Sequence, residues 1–241
     1  SEINRLSLKA GEFAIPNEFD RILEGMGGTW INAFTSNDVI AYFNKFPGDQ
    51  VEKWLEIYSH RFMNPVFRLF QAELETVYEE KNRAMDNVFR NLFTTYLENI
   101  FKKHPYGQQT VLGSVDHLKN PSLTKMQEYY DTYYVANNMA LLISGDFSID
   151  ETLPLIKEKF GKWKSGEIPP PINITEEPFN GREKISRRMT PIKIGIMGFR
   201  TVPAGHEDEG ALLLCNQLLT NESKTGLIDQ LEVERKLMGA G

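Results

Sequence analysis

Phe19, Ile22 and Leu23 recur at helical spacing between Glu18 and Met26, and Gly27-Gly28 follows, so a short helix is expected to stop there. The period then changes. Thr29 to Thr35 and Val39 to Phe43 are rich in β-branched and aromatic residues and flank the turn-prone Ser36-Asn37-Asp38, which predicts a hairpin. After Pro47-Gly48-Asp49 the helical period returns, with Val51, Trp54, Leu55, Tyr58 and Phe62 on one amphipathic stripe. From Phe67 through Phe70, Leu74, Val77, Met85, Phe89 and Phe93 to Tyr96 the same period continues without Gly or Pro. That pattern predicts one long helix, or two with a kink, over 66–103.

His104-Pro105-Tyr106-Gly107 ends this stretch, and Ser122 is placed to cap a helix from about Leu123 to Tyr134. Met139 to Ser144 reads as a buried strand, Gly145-Asp146 as a turn and Asp150 to Lys162 as a helix. Between Lys164 and Glu183 the composition shifts to Gly, Ser, Pro, Asn and Glu, and Pro169-Pro170-Pro171 suits an extended linker. Ile192 to Phe199 then predicts a strand, Glu207 to Leu219 a helix, and Thr225 to Leu237 the start of another. A terminal piece of about 60 residues is marginal as an independent core, so the sequence reads as truncated at its C-terminal end. The order is mixed strand and helix, an α+β arrangement.

Composition narrows the function more than the fold. With 241 residues, 41% hydrophobic and 25% charged, the chain suits one large or two smaller globular domains, and small disulfide scaffolds are excluded. A net charge of −6 argues against nucleic acid and against an anionic membrane as partners. No apolar run approaches the ~18 residues of a membrane span. Cys215 is the single cysteine; its apolar surroundings predict a half-buried core thiol, and it leaves the compartment open.

Glu73 and Glu80 lie seven residues apart on the long helix, which puts both carboxylates on one face about 20° apart. Taken alone, such a pair on a charged helix is a solvated face. The four histidines, His60, His104, His117 and His206, include no pair at the spacing of a helical zinc site, and structural or solvated roles are expected for each. There is no phosphate-cradling Gly-rich loop, no Gly-x-Ser-x-Gly and no Cys-x-x-Cys.

Gly27-Gly28, Asn32-Ala33-Phe34-Thr35-Ser36, Phe70-x-x-Glu73-x-x-x-Val77-x-x-Glu80, His104-Pro105-Tyr106-Gly107, Asn137-Asn138-Met139 and Gly145-Asp146-Phe147 follow one another along the chain. In order and spacing this series resembles the pitrilysin/insulinase family of zinc peptidases over residues 10 to 165. Ile192 to Gly241, with Thr225-Gly226-Leu227 and Glu234-Arg235-Lys236-Leu237, resembles the opening of that family's second homologous αβ unit. The resemblance implies a pitrilysin/insulinase-like αβ unit, a mixed and largely antiparallel sheet packed by helices, followed by the start of a second unit. The implied boundaries are 1–165 for a first domain missing its N-terminal part, 166–184 for a linker and 185–241 for the truncated second domain.

It further implies zinc as cofactor, held by two histidines of a His-x-x-Glu-His motif and a later glutamate. Glu80 matches that metal-binding glutamate and Glu73 the supporting glutamate of the catalytic centre. Asn32, Ala33 and Phe34 match the edge strand on which an extended peptide substrate pairs through its main chain. His-x-x-Glu-His itself occurs nowhere in the 241 residues. The chain is therefore expected to be an internal fragment of a zinc endopeptidase acting on unfolded peptides, inactive by itself, with the motif further upstream. The alternative is a non-catalytic homologous half that binds peptides or packs on a catalytic partner. On either reading the protein partner is the remainder of its own polypeptide or a homologous half.

Overall fold

The computed structural model describes residues 2–67, 69–119 and 121–239, apart from the side chains of residues 2–4, 7, 8 and 71. Its elements group into two compact units, 1–193 and 194–241.

In the first unit, helix α1 (Glu2–Gly11) precedes α2 (Glu18–Gly25), and the hairpin follows as β1 (Thr29–Thr35) and β2 (Ile40–Lys45). Gly28 is required at the junction, because a Cβ there would sit 2.6 Å from the Leu23 carbonyl oxygen. Helices α3 (Val51–Met63), α4 (Phe70–Met85), α5 (Val88–Ile100), α6 (Pro105–Gln108), α7 (Val115–Lys119), α8 (Leu123–Tyr133) and α9 (Ile149–Phe160) complete it. The long periodic stretch is thus two helices. No Gly or Pro divides them. Asn87 caps α5 by accepting from the Arg90 N–H at 3.0 Å, and a side chain that satisfies a new N-terminus ends the preceding helix. Ser122 and Ser148 cap α8 and α9 in the same way.

The core lies where α2, the hairpin, α3 and α9 meet. Leu23, Met26, Trp54, Leu55, Tyr58 and Phe62 are buried, and Ile31, Tyr42, Phe46, Tyr134, Leu155, Phe160 and Trp163 pack around them. Trp54 stacks on Phe46 and Tyr58, and Phe62 stacks on Trp163 with centroids 5.8 Å apart. Each buried polar tip of this aromatic group finds a partner. The Trp54 Nε1–H donates to Asn44 Oδ1 at 2.9 Å, the Trp163 Nε1–H to the Tyr134 carbonyl at 3.1 Å, and the Tyr42 and Tyr134 hydroxyls meet at 2.7 Å. Burial pushes the Tyr130 phenol up to about 12, and burial together with the Tyr42 hydroxyl raises Tyr134 as well, so both stay neutral.

The fold is a helical assembly with a small antiparallel sheet, an α+β arrangement whose ladder among the described residues is β1–β2. Met139 to Ser144, predicted as a buried strand, joins no ladder among the described residues. Met139 and Ile143 reach the core, whereas Leu142 is 86% exposed. A continuous apolar run suits a strand covered on both faces, and here one face is uncovered. Ile192 to Phe199 likewise joins no ladder among the described residues.

The second unit holds α10 (Glu209–Leu219) and α11 (Asp229–Val233). Cys215 lies exposed on α10 rather than half-buried. Here the buried side chain is a carboxylate. Asp229 accepts from the Thr220 hydroxyl at 2.9 Å, the Asn221 N–H at 3.0 Å and the Gly226 N–H at 3.1 Å, which knits the turn between the two helices. These bonds, led by that from the Asn221 N–H, hold the carboxyl below its ordinary range against the opposing effect of burial. Among the described residues of this unit no hydrophobic side chain is buried.

Two predictions follow from this packing. Leu55→Ala, at a site with no exposure, should cost about 2–5 kcal/mol in urea unfolding, whereas Leu142→Ala should stay within about 0.5 kcal/mol. For Asp229 the folded pKa is depressed, so its stabilisation is complete above the unfolded value of about 3.9 and disappears as pH falls through the lowered one. Protection of the Asn221 and Gly226 amides from hydrogen exchange should follow that course. In Asp229→Asn the acid-induced loss should vanish, and an unchanged pH profile would contradict the assignment.

Candidate functional site

Helix α4 carries the glutamates. Glu73 and Glu80 are both exposed, and seven residues of α-helix place them on one face with a rise of about 10 Å between them. Glu79, rotated by about 100°, belongs elsewhere: with Ala72, Glu75 and Thr76 it walls a groove of about 630 Å³ closed on its other side by Leu118, Lys119 and Pro121. Lys81, next to Glu80, donates from Nζ to the Gly113 carbonyl at 2.6 Å and to the Thr110 hydroxyl at 3.3 Å. That lysine fastens the 110–113 loop to the helix.

The other candidate residues, Asn32, Ala33 and Phe34, lie on the hairpin. Asn32 pairs with Phe43, Ala33 with Tyr42 and Phe34 with Ala41. The register slips between Thr29 and Asn32, where Trp30 takes φ 56° in a bulge. Alternation then assigns Ile31 and Tyr42 to the core face and Asn32, Phe34 and Phe43 to the open face, where Phe34 and Phe43 lie 6.3 Å apart. The side of β1 away from β2 has no strand partner among the described residues. Asn32 Oδ1 accepts the Ala33 N–H at 2.8 Å, so a side chain already occupies one main-chain donor of β1.

The His104-Pro105-Tyr106-Gly107 corner packs on α5 and bonds to the hairpin tip through Tyr106 and Asp38. His104 caps α6, its Nδ1 accepting the Tyr106 N–H at 3.3 Å, and Pro105 begins the helix. Gly107 admits no side chain, since a Cβ would lie 2.2 Å from the Phe101 carbonyl oxygen. The expected linker binds to this corner. Glu176 Oε1 accepts the N–H groups of Lys103 and His104, both at 2.7 Å, while Lys102 pairs with Glu183 at 2.6 Å and Lys103 with Glu177 at 2.7 Å. Lys103 lowers the Glu177 pKa through that bond. Nearer its start, the segment is fixed by Asn137, whose side-chain amide exchanges two hydrogen bonds with the Gly166 backbone at 2.9 and 3.0 Å.

Among the described residues no group of three or more His, Cys, Asp or Glu side chains comes together to hold a metal ion. His60 is exposed on α3, His104 is committed to its cap, His117 is exposed on α7, and His206 accepts the Asp208 N–H at 3.2 Å. The residues present therefore do not fit a complete zinc site, and Glu73 and Glu80 belong to no such group among the described residues. No helix among the described residues is long and apolar enough to cross a membrane. The contacts of Lys81, of Tyr106 with Asp38 and of Glu176 escaped the sequence reading because each meets a partner 29 or more positions away.

Two family models match the chain: "Insulinase (Peptidase family M16)" over residues 3–112 and "Peptidase M16 inactive domain" over residues 121–240. The zinc protease PqqE of Helicobacter pylori is 26% identical over 99% of this chain and 54% of its own length. An uncharacterized zinc protease of Bacillus subtilis, YmfH, is 26% identical over 83% of this chain and 46% of its own. The beta subunit of the mitochondrial-processing peptidase of Dictyostelium discoideum is 26% identical over 64% and 33%. A solved protease from Helicobacter pylori superposes with a TM-score of 0.60 at 28% identity, over 64% of this chain and 38% of that one. The chain thus spans about half the length, or less, of the curated relatives it matches.

Dialysed against micromolar zinc and assayed by elemental analysis, the 241-residue chain should retain well below one zinc per molecule, because a lasting site needs three or four protein ligands. Tight binding of one equivalent would contradict this reading of the donor set.

Proposed function

The chain belongs to the pitrilysin/insulinase family of zinc peptidases, and on that premise we propose that it is the peptide-docking part of a zinc endopeptidase acting on unfolded peptides. The observation that carries this reading is the open side of β1, exposed along Asn32, Ala33 and Phe34 and without a strand partner among the described residues. An extended peptide pairs with such an edge through backbone groups that every sequence shares, which favours unfolded substrates over any one sequence.

In this proposal Glu80 supplies one carboxylate to a zinc site whose other ligands are not among these residues, and Glu73 orients the centre from the same helix face. We assign 1–165 to a first αβ domain, 166–184 to a linker and 185–241 to the opening of a second homologous domain. Partnership with the rest of the polypeptide, or with a homologous half, accounts for the apolar side chains of the second unit that stay exposed, among them Met197, Phe199 and Leu214. A second reading, a non-catalytic half that binds peptides or packs on a catalytic partner, is favoured by the match of 121–240 to an inactive domain.

Substitution in the full-length protein separates the two. Under the first reading Glu80→Gln should abolish most bound zinc and peptidase activity, Glu73→Gln should lower activity about 10- to 100-fold, and Glu79→Gln should have little effect. Equal tolerance at Glu79 and Glu80 would remove Glu80 from the metal site and leave the non-catalytic half.

A further inference from the structure

The Tyr106 hydroxyl lies 2.6 and 2.7 Å from the two carboxylate oxygens of Asp38 and donates to both in a bifurcated bond. Asp38 belongs to the tip of the hairpin, and Tyr106 to the corner after α5, 68 positions away in sequence. We propose that Tyr106 is a positioning residue whose bond to Asp38 fixes the docking strand β1 relative to α5 and, through it, to α4, the helix that carries Glu73 and Glu80. This rests on the reading of β1 as a peptide-docking edge.

Both ends of the bond are stiff enough to transmit position. At the hairpin tip the Ser36 hydroxyl accepts the N–H groups of Asp38 and Val39 at 3.3 and 3.0 Å, and the Ser36 N–H donates to the Val39 carbonyl at 2.8 Å. A shift of Asp38 therefore carries Thr35 and the end of β1 with it. On the corner side, the Tyr106 ring meets His104 edge-on at 4.4 Å and Phe101 at 5.9 Å, so the ring is held independently of its hydroxyl. The corner packs on α5, and α5 packs on α4.

What the hydroxyl adds is the constraint on the strand. β2 is tied to the core by Tyr42 and Asn44. The tip, by contrast, projects into solvent with Asp38 exposed. A donor bound to an ionised carboxylate makes a short, strong hydrogen bond, and these carboxylate oxygens in turn raise the Tyr106 pKa, keeping the phenol protonated as the donor.

The test uses the 241-residue chain and a fluorescein-labelled twelve-residue peptide of repeating Thr, Val and Ser, read by anisotropy, together with amide hydrogen exchange. Tyr106→Phe keeps the ring and should weaken peptide binding about three- to ten-fold while speeding exchange at Asp38, Val39 and the end of β1, with α4 unchanged. Asp38→Leu should match it, Asp38→Asn should largely preserve affinity because an acceptor oxygen remains, and Tyr106→Phe with Asp38→Leu should be no worse than either alone. Wild-type binding with additive losses, or with exchange at the tip unchanged in Tyr106→Phe, overturns the latch alone. A wild-type chain that does not bind the peptide overturns the docking reading of β1, and the proposal falls with it.

Discussion

The hairpin is held on one side by the core and, among the described residues, open to strand pairing on the other. β2 is committed to the core: Tyr42 bonds to Tyr134, and Asn44 accepts from Trp54. β1 has its hydrogen bonds to β2 and an outer edge with no strand partner among the described residues. Exposed edges invite pairing with other chains, and proteins usually blunt them with bulges, charges or cover. This one has a bulge at Trp30 and a side-chain amide across the Ala33 N–H, both local and displaceable. An edge so lightly guarded suits a surface that must accept a strand, and the aromatic core behind β2 gives it a rigid backing.

A second consequence concerns the corner at His104 to Gly107. It takes a carboxylate from the hairpin on Tyr106 and another, Glu176, on the N–H groups that open α6. Acidic groups are favoured at such an N-terminus, because its amide hydrogens have no partners within the helix. The segment around Pro169 to Pro171 reads from composition as an extended linker, and its further part is tied down through Glu176, Glu177 and Glu183. The two lysine pairs are exposed, contribute little to stability and weaken with salt. The Glu176 bonds to two backbone donors are the more durable part of that attachment.

The sequence disclosed those elements whose determinants are local. Helix α3 follows from its stripe of Val51, Trp54, Leu55, Tyr58 and Phe62, and the hairpin from its β-branched runs about a polar turn. The serine cap at Ser122 was equally readable, whereas the cap at Ser148 emerged only with the fold. Two helices were one of the alternatives for 66–103, but the place of the division, Asp86-Asn87, was not legible, because a single asparagine cap inside a continuous apolar period leaves no break in the pattern. The same limit applied to the strand expected at Met139 to Ser144, since a strand exists only through its neighbour. In the candidate site, the shared face of Glu73 and Glu80 followed from helical geometry alone, whereas the Tyr106 and Asp38 pair depended on tertiary contact. Asn137, quoted for its place in a motif series, proves to be a staple for the Gly166 backbone.

Side chains patterned for burial but left in water bear on what the chain works with. Leu142 on the 139–144 run, and Met197, Phe199, Leu213 and Leu218 in the second unit, sit in apolar segments whose periods call for cover. In the second unit the buried anchor is a carboxylate held by a turn, which fixes local conformation without supplying the driving force that apolar burial gives. Two helices and an irregular segment bring few apolar groups together, and short chains bury too small a fraction of their surface to be independently stable. The family relationship offers a physical resolution, since matching homologues run to about twice this length or more. A strand-period segment such as Ile192 to Phe199 acquires both its hydrogen-bond partners and its hydrophobic cover when a neighbouring strand arrives, so that ladder and core form together.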